Sequence, residues 1–281
     1  FRPRRSAHDA VDDIAITLNR GYTQVIDADL SKYFDTISHA NLMATVAERI
    51  SDGAILHLIK MWLKAPVIEE DDDGTRRTIG GGNGSRKGTP QGGVISPLLA
   101  NVYLHLLDRI WERHKLETRL GARLVRYADD FVVLCRYGVE RPMEIIVQVL
   151  ERLGLALNAE KTHVVDAMQE RFDFLGFEIG IVRSRRTGGN YANVQPSRKS
   201  LRKIKSRLTG MTRRELTLVP LEDVVGNVNK TLRGWVAYFY YRNCAKEMAK
   251  VRAHVEQRLY THLRKRHKIR RRVSAYRRFP V

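Results

Sequence analysis

Cysteine is nearly missing from this 281-residue chain, which carries only Cys135 and Cys244. Two thiols exclude a disulfide framework and any cysteine-rich zinc site, and they point to a reducing, cytoplasmic setting. Long hydrophobic runs are absent too. No stretch of about eighteen apolar residues occurs, so no helix is expected to span a membrane. No signal-peptide pattern, internal repeat or low-complexity tract is read within residues 1–281. The chain starts at Phe1 on a basic segment without a methionine, and is expected to be a piece of a longer protein. With 43% hydrophobic and 29% charged residues, it can bury a real core rather than stay disordered.

Acidic residues are scarce in one region only. Residues 1–196 hold 26 Lys+Arg and 26 Asp+Glu, whereas residues 197–281 hold 24 against 5, so the whole net charge of +19 lies in the last 85 residues. Crowded cations repel one another unless phosphates offset them. A neutral body followed by a basic region therefore reads as a catalytic part with a polyanion-binding part.

Residues 8–20 have helical spacing, closed by Gly21, and residues 24–30 (QVIDADL) read as a strand. Helices are expected over 39–50 and 53–64, then an exposed, acid- and glycine-rich loop or hairpin over 69–84. Ser96-Pro97 looks like a helix start with Ser96 as N-cap, and residues 123–135 read as strand, tight turn, strand. A helix over 142–153 and strands over 162–166 and 172–182 complete an α+β fold, a mixed sheet with helices on one face. A basic helix starting at Ser197 and helices over 221–242 and 245–266 follow, with a basic run from Arg264 to Arg272. The domain boundary is expected in the SRRTGGN loop, giving domains 1–190 and 191–281.

Asp129-Asp130 is the feature that needs a reason. Adjacent carboxylates raise one another's pKa unless a cation intervenes, although Asp is also common in plain turns. Asp27 and Asp29, two apart on a strand, point to one face. A sheet that sets this strand beside the 129–130 hairpin would gather up to four carboxylates. Hard divalent cations take such oxygen ligands, and two of them can serve an in-line phosphoryl displacement. Charge alone does not choose between Asp27 and Asp29.

Seven ordered blocks then carry a resemblance. Phe1-Arg2-Pro3-Arg4-Arg5-Ser6-Ala7-His8, Asp29-Leu30-Ser31-Lys32-Tyr33-Phe34-Asp35 and Gly88-Thr89-Pro90-Gln91-Gly92-Gly93-Val94-Ile95-Ser96-Pro97 are followed by Tyr127-Ala128-Asp129-Asp130. Gly154-Leu155 through Lys161-Thr162, Phe174-Leu175-Gly176-Phe177 and Leu232-Arg233-Gly234-Trp235 come next. Together these resemble the reverse transcriptases of group II introns, palm followed by the maturase or thumb region, with Arg4 where the family usually has Gly. The resemblance implies a right-hand polymerase palm, an α-helical thumb, and RNA-directed DNA synthesis with two Mg²⁺ ions (Mn²⁺ as the alternative).

It also implies roles. Asp29, five residues before the family's Phe, would be the first metal ligand, with the Leu30 carbonyl, Asp129 and Asp130 completing the set. Tyr33 would lie under the sugar of the incoming nucleotide next to Phe34, with Gln91 and Gly92 against nucleotide or template. Lys161 would neutralise or protonate pyrophosphate. Leu175, Gly176 and Phe177 would grip the primer, and Arg2, Arg5, Arg198, Lys199, Arg202, Lys203 and Arg233 would contact RNA. The partners implied are an RNA template, a DNA primer, dNTPs and structured intron RNA. The family's first fingers blocks are expected upstream of Phe1. No Cys/His-rich endonuclease segment follows the thumb within these 281 residues, so target-site cleavage is not expected of them. The competing readings are a maturase that only binds RNA and a polymerase domain recruited to another system, such as CRISPR spacer acquisition.

Overall fold

The computed structural model describes residues 5–70, 73–82, 84–90 and 92–269, so the expected roles of Arg2 and Gln91 fall on residues outside it, as do residues 270–272 of the basic run. The chain forms two compact units, Phe1–Glu170 and Arg171–Val281.

The first unit opens with α1 (Ala7–Asn19), β1 (Gln24–Ala28), α2 (Tyr33–Thr36), α3 (His39–Ala47), α4 (Gly53–Lys64) and the hairpin of β2 (Val67–Glu70) and β3 (Arg76–Gly80). It continues with α5 (Ser96–Arg113), α6 (Leu116–Leu120), β4 (Ala122–Tyr127), β5 (Asp130–Cys135), α7 (Glu140–Arg152) and β6 (His163–Asp166). A capping box starts α1: the Asp9 amide donates to Ser6 Oγ at 3.3 Å, and the Ser6 amide to Asp9 Oδ2 at 2.7 Å. The central sheet runs β4-β5-β1-β6 and every pair in it is antiparallel.

Phe131, Val133 and Cys135 of β5 join Ile26 and Ala28 of β1 in the main core, with Leu42, Leu104, Leu107 and Ile146 from α3, α5 and α7. The alternate residues Val132 and Leu134 are also fully buried, and α1 packs on β4 and β5. Helices were expected on one face; α1 adds cover to the other, which is why β5 reads as an unbroken apolar run. Ser96 is the first residue of α5 rather than its cap: Ile95 is the N-cap and no side chain caps the helix, because the 2% exposed Ser96 is turned inward.

The second unit holds the sheet β7 (Phe172–Phe174), β8 (Phe177–Arg183) and β9 (Asn190–Pro196), then α8 (Arg198–Met211), a 3-10 turn (Arg214–Leu218), α9 (Leu221–Phe239) and α10 (Ala245–Arg266). The SRRTGGN segment expected to separate domains is therefore the bend of the β8–β9 hairpin, whose seven paired positions lie within this unit. Phe177 is its anchor, fully buried with ring centroids 5.5, 5.2 and 6.3 Å from Tyr238, Phe239 and Tyr241. Phe177→Ala is expected to cost about 3–5 kcal/mol, read by denaturant unfolding followed through Trp235 fluorescence.

Candidate active site

Strand register brings the acidic residues together. β1 runs antiparallel to β5, with Asp27 opposite Val132 and Ala28 opposite Phe131, while Tyr127 of β4 faces Asp130. Asp29 thus leaves β1 at the end of the sheet where the Ala128-Asp129 turn joins β4 to β5. Alternation puts Asp29 on the face away from Ile26 and Ala28, and Asp130 on the matching face of its neighbour. Asp27 stays inside the sheet, between Val132 and His163. The turn itself is sharp: Ala128 has φ +58°, a left-handed conformation rare for a residue with a side chain.

The segment after α7 frames Asp29. The Asn158 amide donates to the Asp29 carbonyl at 2.8 Å and the Ser31 amide to the Ala156 carbonyl at 2.9 Å. Asn158 then closes its own turn, accepting from the Glu160 amide at 3.1 Å through Oδ1 and from the Thr162 amide at 2.8 Å through its carbonyl. That turn delivers Lys161, whose Nζ lies 3.4 Å from Asp29 Oδ2.

The charges feel one another. The Asp130 carboxyl is raised above its usual range, first by desolvation and then by the charges of Asp129 and Asp29. Burial chiefly raises the Tyr33 phenol, with the Asp129 charge adding to the effect. Among the described residues no three His, Cys, Asp or Glu side chains already converge as a metal cage. The carboxylate set nonetheless fits a hard cation, which takes one or two carboxylates and fills the remaining positions with waters and phosphates. Mutual repulsion within the set is what such a cation relieves.

A family model for reverse transcriptase (RNA-dependent DNA polymerase) matches residues 1–179, more than half of the chain. The chain belongs to the reverse transcriptase family. A second model, the group II intron maturase-specific domain, matches residues 201–279, which places the chain among the group II intron type. Protein YkfC of Escherichia coli is 34% identical over 221 residues, covering 66% of this chain and 55% of that protein. The group II intron-encoded protein LtrA of Lactococcus lactis is 28% identical over 246 residues, covering 66% of this chain and 39% of that protein. The chain thus spans roughly half or less of these relatives. Among solved structures, apo telomerase from Candida tropicalis shares the fold, with a TM-score of 0.50, 13% identity and coverage of 92% of this chain and 48% of that one. Enzymes of this family use divalent metal ions.

In this member of the reverse transcriptase family the other expected site residues divide. Tyr33 is corrected from a nucleotide-facing ring to a core residue: it is 4% exposed and its hydroxyl donates to the Ala100 carbonyl of α5. Its half-buried neighbour Phe34 is the more exposed ring of the pair, and Leu30 is buried at the strand end. The Gly88-Thr89-Pro90 stretch is tied to the Phe34–His39 segment. Here the Thr89 amide donates to the Phe34 carbonyl at 2.7 Å and the Gly88 amide to the Ile37 carbonyl at 2.8 Å. Gly92 has φ +89°, and a Cβ there would meet open space, so its glycine serves the turn conformation.

In the second unit, Leu175 (φ +50°) and Gly176 (φ +81°) form the two-residue turn of the β7–β8 hairpin. Tyr238 donates to the Leu175 carbonyl at 3.0 Å, and Ser200 Oγ to the Gly176 carbonyl at 2.9 Å. The expected primer-gripping tip is therefore held by α8 and α9, with Phe177 in the core beneath it.

Not every cation of the basic unit faces outward. On α10, Arg258 donates to the Thr212 carbonyl at 3.1 Å, and Arg266 to the Thr217 carbonyl at 2.9 Å. His254 contacts the Lys205 carbonyl at 3.2 Å on the same helix face. The two arginines close the end of α8 and the 3-10 turn, and His254 meets α8 at mid-helix. Sequence reasoning could not separate them from Lys199, Arg202, Lys203 and Arg233, which are exposed; Arg198 is also exposed but lies 3.5 Å from Glu178.

Because the folded-state pKa of Asp130 is raised, its ionisation destabilises the fold. The loss begins as pH rises through the unfolded carboxylate value of about 3.9, and is complete above the raised folded one. Asp130→Asn is therefore expected to raise the melting temperature of the metal-free chain at pH 7. The gain should disappear near pH 4 and shrink when Mg²⁺ is added, as read by thermal melts across pH.

Proposed function

We propose that this chain is the polymerase part of a group II intron-type enzyme that copies RNA into DNA. The observation that carries the reading is the gathering of Asp29, Asp129 and Asp130 at one sheet end in a member of this family. Asp29 and Asp129, with the Leu30 carbonyl and Asp130 in support, would hold two Mg²⁺ ions, or Mn²⁺ in their place. When bound, these ions would make the primer hydroxyl a better nucleophile and offset charge on the departing pyrophosphate.

The protein's own groups do the rest. Lys161 already sits beside Asp29 on an exposed, flexible stem, and is suited to meet the pyrophosphate as its charge develops. Phe34, rather than the buried Tyr33, offers its ring to the nucleotide sugar and disfavours a 2′-hydroxyl. The turn at Leu175-Gly176 presents backbone to the primer, and Gln91 and Gly92 approach the nucleotide or template. Arg2 and Arg5 contact the template strand.

The basic unit binds RNA through phosphates. A groove of about 730 Å³ between α8 and α9 is lined by Lys203, Arg207, Lys230, Thr231 and Trp235, and it reaches Ser200 and Tyr238 beside the Leu175-Gly176 turn. Cations on the rim with a half-buried indole between them suit a polynucleotide backbone. Arg198, Lys199, Arg202 and Arg233 are exposed outside this groove, on other faces of α8 and α9, and would meet RNA there. The maturase-specific match favours structured intron RNA as a second ligand besides template and primer.

Primer extension by the full-length protein on poly(rA)/oligo(dT) with dTTP and Mg²⁺ tests the polymerase reading. Asp129→Asn should lower extension by on the order of a thousandfold with RNA binding intact. Unchanged extension would rule out the metal-site assignment, and RNA binding without any extension by the wild type would favour the maturase alternative. Phe34→Ala should relax discrimination against rUTP, whereas Tyr33→Phe should leave discrimination unchanged and cost about 1 kcal/mol of stability. Lys203→Ala should weaken RNA binding without regard to sequence and reduce the salt slope of log K by about 1, measured by filter binding over a salt series.

A further inference from the structure

Arg126 is the penultimate residue of β4, two residues before the sharp Ala128 turn. An arginine beside a hairpin turn would ordinarily extend into water; here its side chain is only 4% exposed. Nε donates to both carboxylate oxygens of Asp108 at 3.1 Å, and Nη2 bonds Asp108 as well. Nη1 donates to Asn101 Oδ1 at 2.8 Å and to the Ala128 carbonyl at 2.6 Å. Asn101 and Asp108 lie seven residues apart, two turns along one face of α5.

Each partner has a physical task. Asp108 offsets a charge that would be costly to bury alone, and it orients the guanidinium. Asn101 fixes the same nitrogen that reaches the turn. The Ala128 carbonyl belongs to the peptide that enters Asp129, so its direction determines where the Asp129 side chain starts. An L-residue at φ +58° is strained and holds that form only where the surroundings impose it. The planar fork reaches acceptors on three residues at once, which a lysine ammonium on a flexible stem does not reproduce.

We propose that Arg126 is a positioning residue for the metal-binding turn: held by Asp108 and Asn101, it clamps the Ala128 carbonyl and keeps Asp129 aimed at the metals. The clamp ties α5, which begins in the glycine-rich block, to the turn that carries Asp129. This proposal rests on Asp129 being a metal ligand.

The test compares the wild-type chain with Arg126→Lys, Arg126→Lys/Ala128→Gly and Asp129→Asn. Mn²⁺ binding is read by electron paramagnetic resonance, single-nucleotide extension by kcat and KM, and folding by thermal melts. Arg126→Lys should weaken Mn²⁺ binding and lower kcat by roughly 10- to 100-fold, with nucleotide KM nearly unchanged. Adding Ala128→Gly should recover much of both losses, because glycine takes the left-handed conformation without strain. A folded Arg126→Lys chain with wild-type Mn²⁺ affinity and kcat would overturn the proposal. So would an activity loss that follows the unfolded fraction and is not recovered by Ala128→Gly. If Asp129→Asn itself binds Mn²⁺ as the wild type does, the metal-site reading fails and the clamp falls with it.

Discussion

Carboxylates placed at one end of a sheet repel one another, and much of the first unit can be read as the means of holding them there. The antiparallel register of β1 and β5 sets Asp29 beside the turn, and the doubly covered β5 gives that register a rigid base. Asp130 shows the cost in its raised pKa, which follows from desolvation and from its two acidic neighbours. Lys161, 3.4 Å from Asp29, supplies an internal cation that offsets part of this repulsion. Such an exposed pair contributes little stability, so it can part when a stronger cation or a phosphate arrives.

The hairpin at 123–135 was legible because apolar strands flanked a turn residue pair, and the range expected for the last helix, 245–266, is that of α10. The sequence also placed the start of β1, but ran it to Leu30 where the strand ends at Ala28. Strand β9 was not legible: Asn190, Gln195 and Pro196 look like loop residues, and only pairing with β8 makes them a strand. Ser96 looked like a cap because Ser-Pro so often starts a helix, but tertiary burial turned it inward. The order of the blocks identified the acidic site, yet Tyr33 and Phe34 are adjacent, and which ring is buried depends on a hydrogen bond to Ala100 on another helix. Arg126 carried no signal of its own beyond being a cation next to the motif.

The basic half shows the same limit in another form. Composition says that cations accumulate after residue 196, but it cannot say which of them are consumed by the fold. Arg258 and Arg266 satisfy carbonyls at helix ends, while Lys203, Arg207 and Lys230 line an open groove. The charge available to a phosphate backbone is therefore less than the sequence total.

The most direct measurement is anomalous diffraction from crystals grown with Mn²⁺, an RNA template, a DNA primer and a non-reactive dNTP analogue. Strong anomalous density liganded by the Asp29 and Asp129 carboxylates, with the nucleotide phosphates completing the shell, is the result this account expects. Density at other residues, with Asp29 still paired to Lys161 and Asp129 unliganded, would contradict it.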